Sequence, residues 1–329
     1  MNRIKKITFI GGTGSSIIGK AAKEIENWKI RFLVALVDDG GANGRLREQL
    51  DIPPMGDIRK ALISLSTMPN DFSRAFEYRF EKGDLKEHIM GNVFLAGMFL
   101  KYRDINRVTR QAQVILKTKG EVFTTTLDKT CLNVKYENGK IIKGENTLDE
   151  NRDTSIGNPL KYFFSGKIKV NPLAKKTILD SSLIVLGPGD LGANTIAPIL
   201  PKGIKKAIEE TQAKVAYIGN LMTKTGETHD FSVNNCVGLI EGYLGKKIDY
   251  ILLNNAAIPR DILDHYKKEN ERPMPFIKVE LEKGTRKVLE DDLIDLTRHE
   301  KSKIDPLRRS LLRHDGQKVL KLLRKILNT

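Results

Sequence analysis

KITFIGGTGSSIIGKA, residues 6–21, is the stretch on which the fold turns. Ile7-Thr8-Phe9-Ile10 is an apolar, β-branched run that reads as a buried strand. Gly11-Gly12-Thr13-Gly14 then forms a loop, and Ser15 and Ser16 open a helix. A strand, a glycine loop and a helix in that order offer backbone amides and a positive dipole end to an anion. The nicotinamide fingerprint requires a third glycine at position 17, where Ile17 stands, and Gly19 is out of register. No Gly-Lys-Ser/Thr follows, so the loop is not an ATPase P-loop either. The motif names a phosphate or nucleotide without saying which.

Outward from this unit, short β-branched runs alternate with helical periods. Strands are expected at 6–10, 31–37, 182–187, 214–219 and 249–254. Helices are expected at 15–27, 57–67, 84–101, 104–117, 202–211, 232–244 and 260–269. The alternation indicates an α/β fold, a Rossmann-like three-layer sandwich on a mostly parallel sheet. Each expected strand ends in Gly, Asp or Asn, and open α/β sheets bind ligands at that edge. Residues 118–170 change character. Short alternating segments surround Asn138-Gly139, a strong hairpin turn signal, and the range reads as a small antiparallel insertion or lid within a single domain spanning 1–329. The tail, 297–329, is basic and helical, with Val319, Leu322, Leu323, Ile326 and Leu327 on one face. That face suits a closing helix docked on the domain or on a second subunit better than a membrane-surface helix.

The chain carries a net charge of +15, and its last 33 residues hold ten Lys or Arg against three acids. Nearly half of the excess therefore lies in one solvated tail. Aromatic content is only 6%, and no basic arm interleaved with aromatics is present, so nucleic-acid binding is not expected. No run approaches the roughly 20 apolar residues of a membrane span. Cys131 and Cys236 are widely separated lone cysteines, read as reduced packing residues in a cytoplasmic protein.

Four further stretches collect polar residues at expected strand ends. In LVDDGGANGRLREQ (36–49), Asp38 and Asp39 stand where an acid accepts ribose hydroxyls or helps to hold Mg²⁺. Gly40, Gly41 and Asn43 follow, and Arg45 and Arg47 either pair with those aspartates or meet a diphosphate. IPPMGDIRKAL (52–62) supplies Asp57, a helix N-cap candidate, and Arg59 from the first turn. LGPGDLGANTIAPIL (186–200) repeats the strand-glycine-helix pattern with Gly187 and Gly189. GNLMTKTGETHDFS (219–232) places Asn220 at a strand end, followed by Thr223, Thr225, Glu227 and Thr228, which suit sugar recognition or loop capping. Gly91 and Asn92 interrupt an otherwise helical period, which points either to a close approach of ligand or backbone or to plain helix packing. No HExxH, no GxSxG and no activated cysteine is present, so the chain reads as a holder of an anionic nucleotide rather than as an evident catalyst.

Taken in order, GGTG, VDDGGANGRLREQLDIPPMGDIRKAL, GNVFLAG, LGPGDLG, YIGNLMTKTGETHDFS and LLRHD resemble the gluconeogenesis factor family (YvcK-type). That family shares a superfamily with the 2-phospho-L-lactate transferases (CofD-type), and the likeness runs from Gly11 to about Asp315. The resemblance implies a cytoplasmic protein that binds UDP-sugars such as UDP-N-acetylglucosamine and links carbon metabolism to cell-wall synthesis and cell shape. It implies a nucleotide cleft lined by Gly11, Gly12, Thr13, Gly14, Asp38, Asp39, Gly187, Gly189 and Asn220. It also assigns UDP-sugar contacts to Tyr266, which can stack on uracil, and Arg313, which can fork onto a diphosphate. The family pattern GPGSLYTS is replaced here by Gly187-Pro188-Gly189-Asp190-Leu191-Gly192-Ala193, and the new carboxylate of Asp190 would repel a phosphate or recruit a cation. At 235–236 the family's Asp-His pair is replaced by Asn235 and Cys236.

The expected function is therefore a nucleotide-sugar-binding regulatory protein, assembled as a homodimer and without a certain cofactor. The alternative is a Mg²⁺-dependent phospho-ligand transferase using Asp38 or Asp39. A nicotinamide oxidoreductase, resting on fold analogy alone, ranks last.

Overall fold

The computed structural model describes residues 4–297 and 311–328. The chain opens with β1 (Lys5–Ile10), α1 (Thr13–Ala22) and β2 (Trp28–Val34). Five helices follow: α2 (Gly41–Leu50), α3 (Gly56–Leu65), α4 (Asn70–Phe76), α5 (Met90–Tyr102) and α6 (Ile105–Ile115). Next come β3 (Glu121–Thr124), β4 (Leu132–Tyr136), β5 (Ile141–Lys143), α7 (Glu145–Glu150) and β6 (Pro159–Phe164). The second half runs through α8 (Pro172–Leu179), β7 (Leu183–Leu186), α9 (Ile204–Glu210), β8 (Lys214–Ile218), α10 (Val233–Leu244), β9 (Tyr250–Asn254) and α11 (Arg260–Lys268). It closes with α12 (Lys278–Leu281), β10 (Lys287–Asp291), β11 (Ile294–Asp295), β12 (Arg313–His314) and α13 (Gly316–Asn328).

Seven strands form one sheet in the order β10-β9-β8-β7-β1-β2-β3, and every pairing is parallel. Period-two alternation along each strand feeds two cores. Ile7, Phe9, Ile30, Phe32, Leu183, Val185, Ala216 and Ile218 face α1, α3, α5, α6 and α13. Ile10, Leu33, Ile184, Leu186, Val215 and Tyr217 face α8 to α10 and the small antiparallel sheet. The three layers expected from the alternation are present.

Gly19 has a defined task in this packing. A Cβ there would lie 2.3 Å from the Phe32 ring, so the glycine lets α1 lie directly on β2. In the dinucleotide fingerprint the third glycine serves close helix–strand packing. Here the same need is met two positions later.

The main departures from the expected elements have physical reasons. The second strand ends at Val34 rather than 37, although Ala35, Leu36 and Val37 remain buried. The helix expected from 84 begins only at Met90, because Glu87 takes a left-handed φ of 70° and Arg79 bridges Ile89 as in a hairpin. The range 118–170 does not form one separate element. Glu121–Thr124 is the edge strand of the main sheet, and the antiparallel sheet, ordered β5-β4-β6, starts at Leu132. Its β4–β5 turn is where Asn138-Gly139 was expected to lie, with Gly139 at φ 87°. A further edge strand, β10, was not anticipated from the sequence. From the tail, α13 lays Val319, Leu322, Leu323 and Ile326 onto the core beside α1, with Leu327 at its margin; residues 298–310 of that expected helical tail lie outside the described residues.

Candidate functional site

The strand order reverses between β1 and β7. From β1 the chain runs through β2 to β3 at one edge, and from β7 through β8 and β9 to β10 at the other. In open α/β sheets, the loops leaving the C-terminal ends of the strands at such a reversal border the crevice where ligands bind.

Three loops interlock there. The Gly187 amide donates to the Ile10 carbonyl at 3.1 Å, and Ser15 Oγ donates to the Gly187 carbonyl at 2.9 Å. Asn220 Nδ2 donates to the Gly189 carbonyl at 3.0 Å. A Cβ on Gly14 would lie 2.5 Å from the Pro188 carbonyl oxygen, and one on Gly12 would lie 2.5 Å from Asn194 Nδ2. Gly187 and Gly189 take φ of 69° and 151°, backbone that only glycine adopts without strain. Asn194 belongs to a single π-helical turn, Leu191–Ile196, and sits between the two glycine loops. Gly12, Gly187 and Asn220 thus share one edge. Thr13 is exposed at its mouth, where Lys60 Nζ donates to Thr13 Oγ1 at 2.7 Å and stands 3.3 Å from Asp57.

The loop after β2 reaches the same edge through Asp38. Asn43 Nδ2 donates to Asp38 Oδ2 at 2.6 Å, and the Gly40 amide donates to Oδ1 at 3.2 Å. Burial raises the Asp38 pKa, and the neighbouring Asp57 carboxylate adds to the rise. Asp39 turns elsewhere, accepting the Asn146 amide at 2.7 Å and so fastening α7 of the antiparallel element to this loop. Gly41 (φ 51°) is open to solvent.

The two arginines do not balance the aspartates. Arg45 pairs with Glu87 at 2.8 Å, and Arg47 donates to the Thr130 carbonyl. Asp57 lies inside the first turn of α3, whose N-cap is Met55, and pairs with Lys60 instead of capping. Arg59 and Asn92 are buried behind the site and bonded to each other at 2.9 Å.

On the far flank, a charge cluster around the buried Glu227 joins the second glycine loop, the β8 loop and α7. Lys224 Nζ lies 2.6 Å from Asp149, 3.3 Å from Asp190 and 3.7 Å from Glu227. Glu227, 1% exposed, accepts the Gly192 amide at 2.8 Å and the Tyr162 hydroxyl at 3.3 Å. Glu145 at the start of α7 is pushed well above the carboxylate range, by burial first and then by Asp38, Asp190, Asp149 and Asp57. The rim of the crevice therefore combines a row of carboxylates with two lysines. Among the described residues no three His, Cys, Asp or Glu side chains are arranged to hold a metal ion.

The hydroxyls expected to read a sugar are spent on the chain's own backbone. Thr223 Oγ1 accepts the Arg272 amide, Thr225 Oγ1 donates to the Glu269 carbonyl, and Thr228 Oγ1 accepts the Lys224 amide. Tyr266 is buried among Leu221, Met222, Ile294 and Leu312, and its hydroxyl accepts the Leu312 amide at 3.2 Å. That bond ties α11 to the β11–β12 pair, in which Arg313 lies opposite Asp295. Tyr266, far from Arg313 in sequence, thus bonds the residue beside that arginine. Lys60, Asn194 and Lys224 were not singled out by the sequence reading. Each follows a noticed motif by a few residues, but only the long-range packing shows what it touches.

The family model described as 2-phospho-L-lactate transferase CofD matches residues 7–294. The gluconeogenesis factor of Bacillus subtilis is 33% identical over 313 residues, covering 93% of this chain and 97% of that protein. The gluconeogenesis factor of Halalkalibacterium halodurans is 32% identical over 314 residues, covering 92% and 95%. A crystal structure of a UPF0052-family protein from Bacillus halodurans superposes with a TM-score of 0.87 at 29% identity, covering 97% of this chain and 99% of that one. No helix among the described residues is long and apolar enough to cross a membrane.

Proposed function

The chain belongs to the CofD family, among relatives called gluconeogenesis factors, and from that premise we propose that it is a cytoplasmic, nucleotide-sugar-binding regulatory protein. Its ligand is a UDP-sugar of the UDP-N-acetylglucosamine kind, its assembly a homodimer, and its role the coupling of carbon metabolism to cell-wall synthesis and cell shape. One observation supports this reading above the others: two glycine loops meet where the strand order reverses, packed so closely that neither Gly12 nor Gly14 has space for a methyl group. The helix that starts between them, α1, has no side-chain cap on its first amides, and uncapped helix amides suit a diphosphate. Thermal melting with UDP-N-acetylglucosamine tests it. The midpoint rises with ligand concentration by mass action, and Arg313→Glu removes the rise. A flat response to millimolar ligand overturns the reading.

A second reading, a Mg²⁺-dependent transfer of a phosphorus-containing group, draws on the family description and on the carboxylates at the rim. The residues fit it only in part. Asp39 accepts the Asn146 amide, and Asp38 accepts Asn43 and the Gly40 amide on its two oxygens, so either carboxylate would offer a cation only its remaining lone pairs. Mg²⁺ there would neutralise phosphate charge. This reading requires turnover of a phosphodiester donor that stops without Mg²⁺ and in Asp38→Asn.

A further inference from the structure

Behind the crevice, side chains from three helices form one line of hydrogen bonds that ends on Asp38. Arg59 Nε donates to Asn92 Oδ1 at 2.9 Å. Asn92 Nδ2 donates to Asn43 Oδ1 at 2.6 Å, and Asn43 Nδ2 donates to Asp38 Oδ2 at 2.6 Å. We propose that Arg59 and Asn92 are positioning residues: without touching the ligand, they orient the Asn43 amide and through it the Asp38 carboxylate that receives the ribose hydroxyls. The proposal rests on the nucleotide reading of the crevice.

The direction of the line follows from its ends. A guanidinium only donates and an ionised carboxylate only accepts. With Arg59 at one end, Asn92 must turn its oxygen toward it and its nitrogen toward Asn43. Asn43 must then present its oxygen to Asn92 and its nitrogen to Asp38. Flipping either amide sets donor against donor at one joint and acceptor against acceptor at the other. The two amides therefore have one consistent arrangement, which sends a donor to Asp38. One Asp38 oxygen is thereby fixed while the carboxylate keeps lone pairs for a ligand.

The surrounding backbone leaves room for the line. A Cβ on Gly56 would lie 2.5 Å from Asn43 Nδ2 and 2.7 Å from Asp38 Oδ2, and one on Gly91 would lie 2.8 Å from Arg59 Cδ. The helical glycine at 91 thus makes space for the Phe76 ring first, 2.4 Å from that Cβ, and for the arginine beside it. Arg59 and Asn92 are 4% and 2% exposed, too deep to meet a nucleotide, whereas Asn43 and Asp38 are only half-buried. The sequence placed all four residues at the site. The geometry divides them into two that face the ligand side and two that act from behind.

Asn92→Asp separates orientation from packing. The new carboxylate has nearly the same shape and pairs with Arg59, so the fold keeps its melting temperature. It can only accept, so Asn43 flips to donate toward it and turns its oxygen on Asp38. Calorimetric titration with UDP and with 2′,3′-dideoxy-UDP reads the consequence. UDP binding weakens about tenfold or more in the variant, the loss expected for one charge-assisted hydrogen bond, while the dideoxy analogue binds as it does to the wild type. In the free protein, the Asn43 side-chain amide protons, slow to exchange in the wild type, shift and exchange faster in Asn92→Asp. Equal affinities of wild type and variant for UDP overturn the proposal, as does an equal loss for both nucleotides with a lowered melting temperature. Should the wild type bind neither nucleotide, the crevice reading fails first; unchanged Asn43 amide signals would then reject the line of hydrogen bonds as well.

Discussion

Lys224 Nζ lies 3.3 Å from the carboxylate of Asp190, the residue by which the second glycine loop departs from the pattern that the resemblance implies. The added negative charge is therefore answered within the protein. The same ammonium also faces Asp149 and the buried Glu227, so one lysine holds together the second glycine loop, the β8 loop and α7. A phosphate approaching this flank meets a partly neutralised surface.

Removing that ammonium leaves Glu227 buried without its cation. Lys224→Met is expected to cost about 3 kcal/mol, the usual order for breaking one side of a buried ion pair. Adding Glu227→Gln restores much of the loss. Urea unfolding of the single and double variants measures both, and additive losses would rule out the coupling.

The glycines divide by what surrounds them. Gly14→Ala forces a methyl group against the Pro188 carbonyl, 2.5 Å away, and is expected to destabilise by about 1–3 kcal/mol and to abolish the ligand-induced rise in melting temperature. Gly97, exposed within α5, has nothing within 4 Å of its Cβ direction. Gly97→Ala should stabilise by roughly 0.5–1 kcal/mol through helix propensity alone. Differential scanning calorimetry distinguishes the two signs.

His314 is buried near the Gly219 backbone, its Nε2 has no partner, and burial pushes its pKa down to about 4. The unfolded chain then binds the proton that the folded one refuses. Stability is full above the ordinary histidine value and falls as the pH drops from there toward 4, by up to about 3 kcal/mol. His314→Leu should flatten this acid limb in urea titrations at a series of pH values, and an unchanged slope would contradict the assignment.

Glu145 behaves in the opposite sense. Its folded pKa is raised by burial and by the surrounding carboxylates, so it opposes folding increasingly as the pH rises past the usual glutamate range. Glu145→Gln should raise the melting temperature at neutral pH and leave it nearly unchanged at pH 4.

The sequence reading recovered those parts of the fold whose cause is local. The strand–glycine–helix unit at 6–21 and the strands ending near Asn220 and Asn254 follow from alternation and turn chemistry. It missed β3 and β10 as members of the main sheet. Glu121–Thr124 is a four-residue alternating segment beside a hairpin, and β10 carries lysine, glutamate and aspartate at the sheet edge; neither has the apolar run of a central parallel strand. The candidate site was legible as a set of loops but not as a set of contacts. Arg45 and Arg47 lie close to Asp38 in sequence, yet their partners, Glu87 and Thr130, come from segments 42 and 83 residues away. Tyr266 and Arg313 were assigned by resemblance, and the packing shows one shoring up the strand pair that holds the other.

The helix that opens at the first glycine loop is covered by the last one. Gly316 approaches the Ile17 carbonyl, with a Cβ direction only 3.0 Å from it, and α13 lays Val319, Leu322 and Leu323 beside Ile18 and Ala22. During synthesis, the first glycine loop emerges well before α13, the helix that supports it. A nascent chain halted short of α13 carries the first glycine loop on a helix with one oily side uncovered.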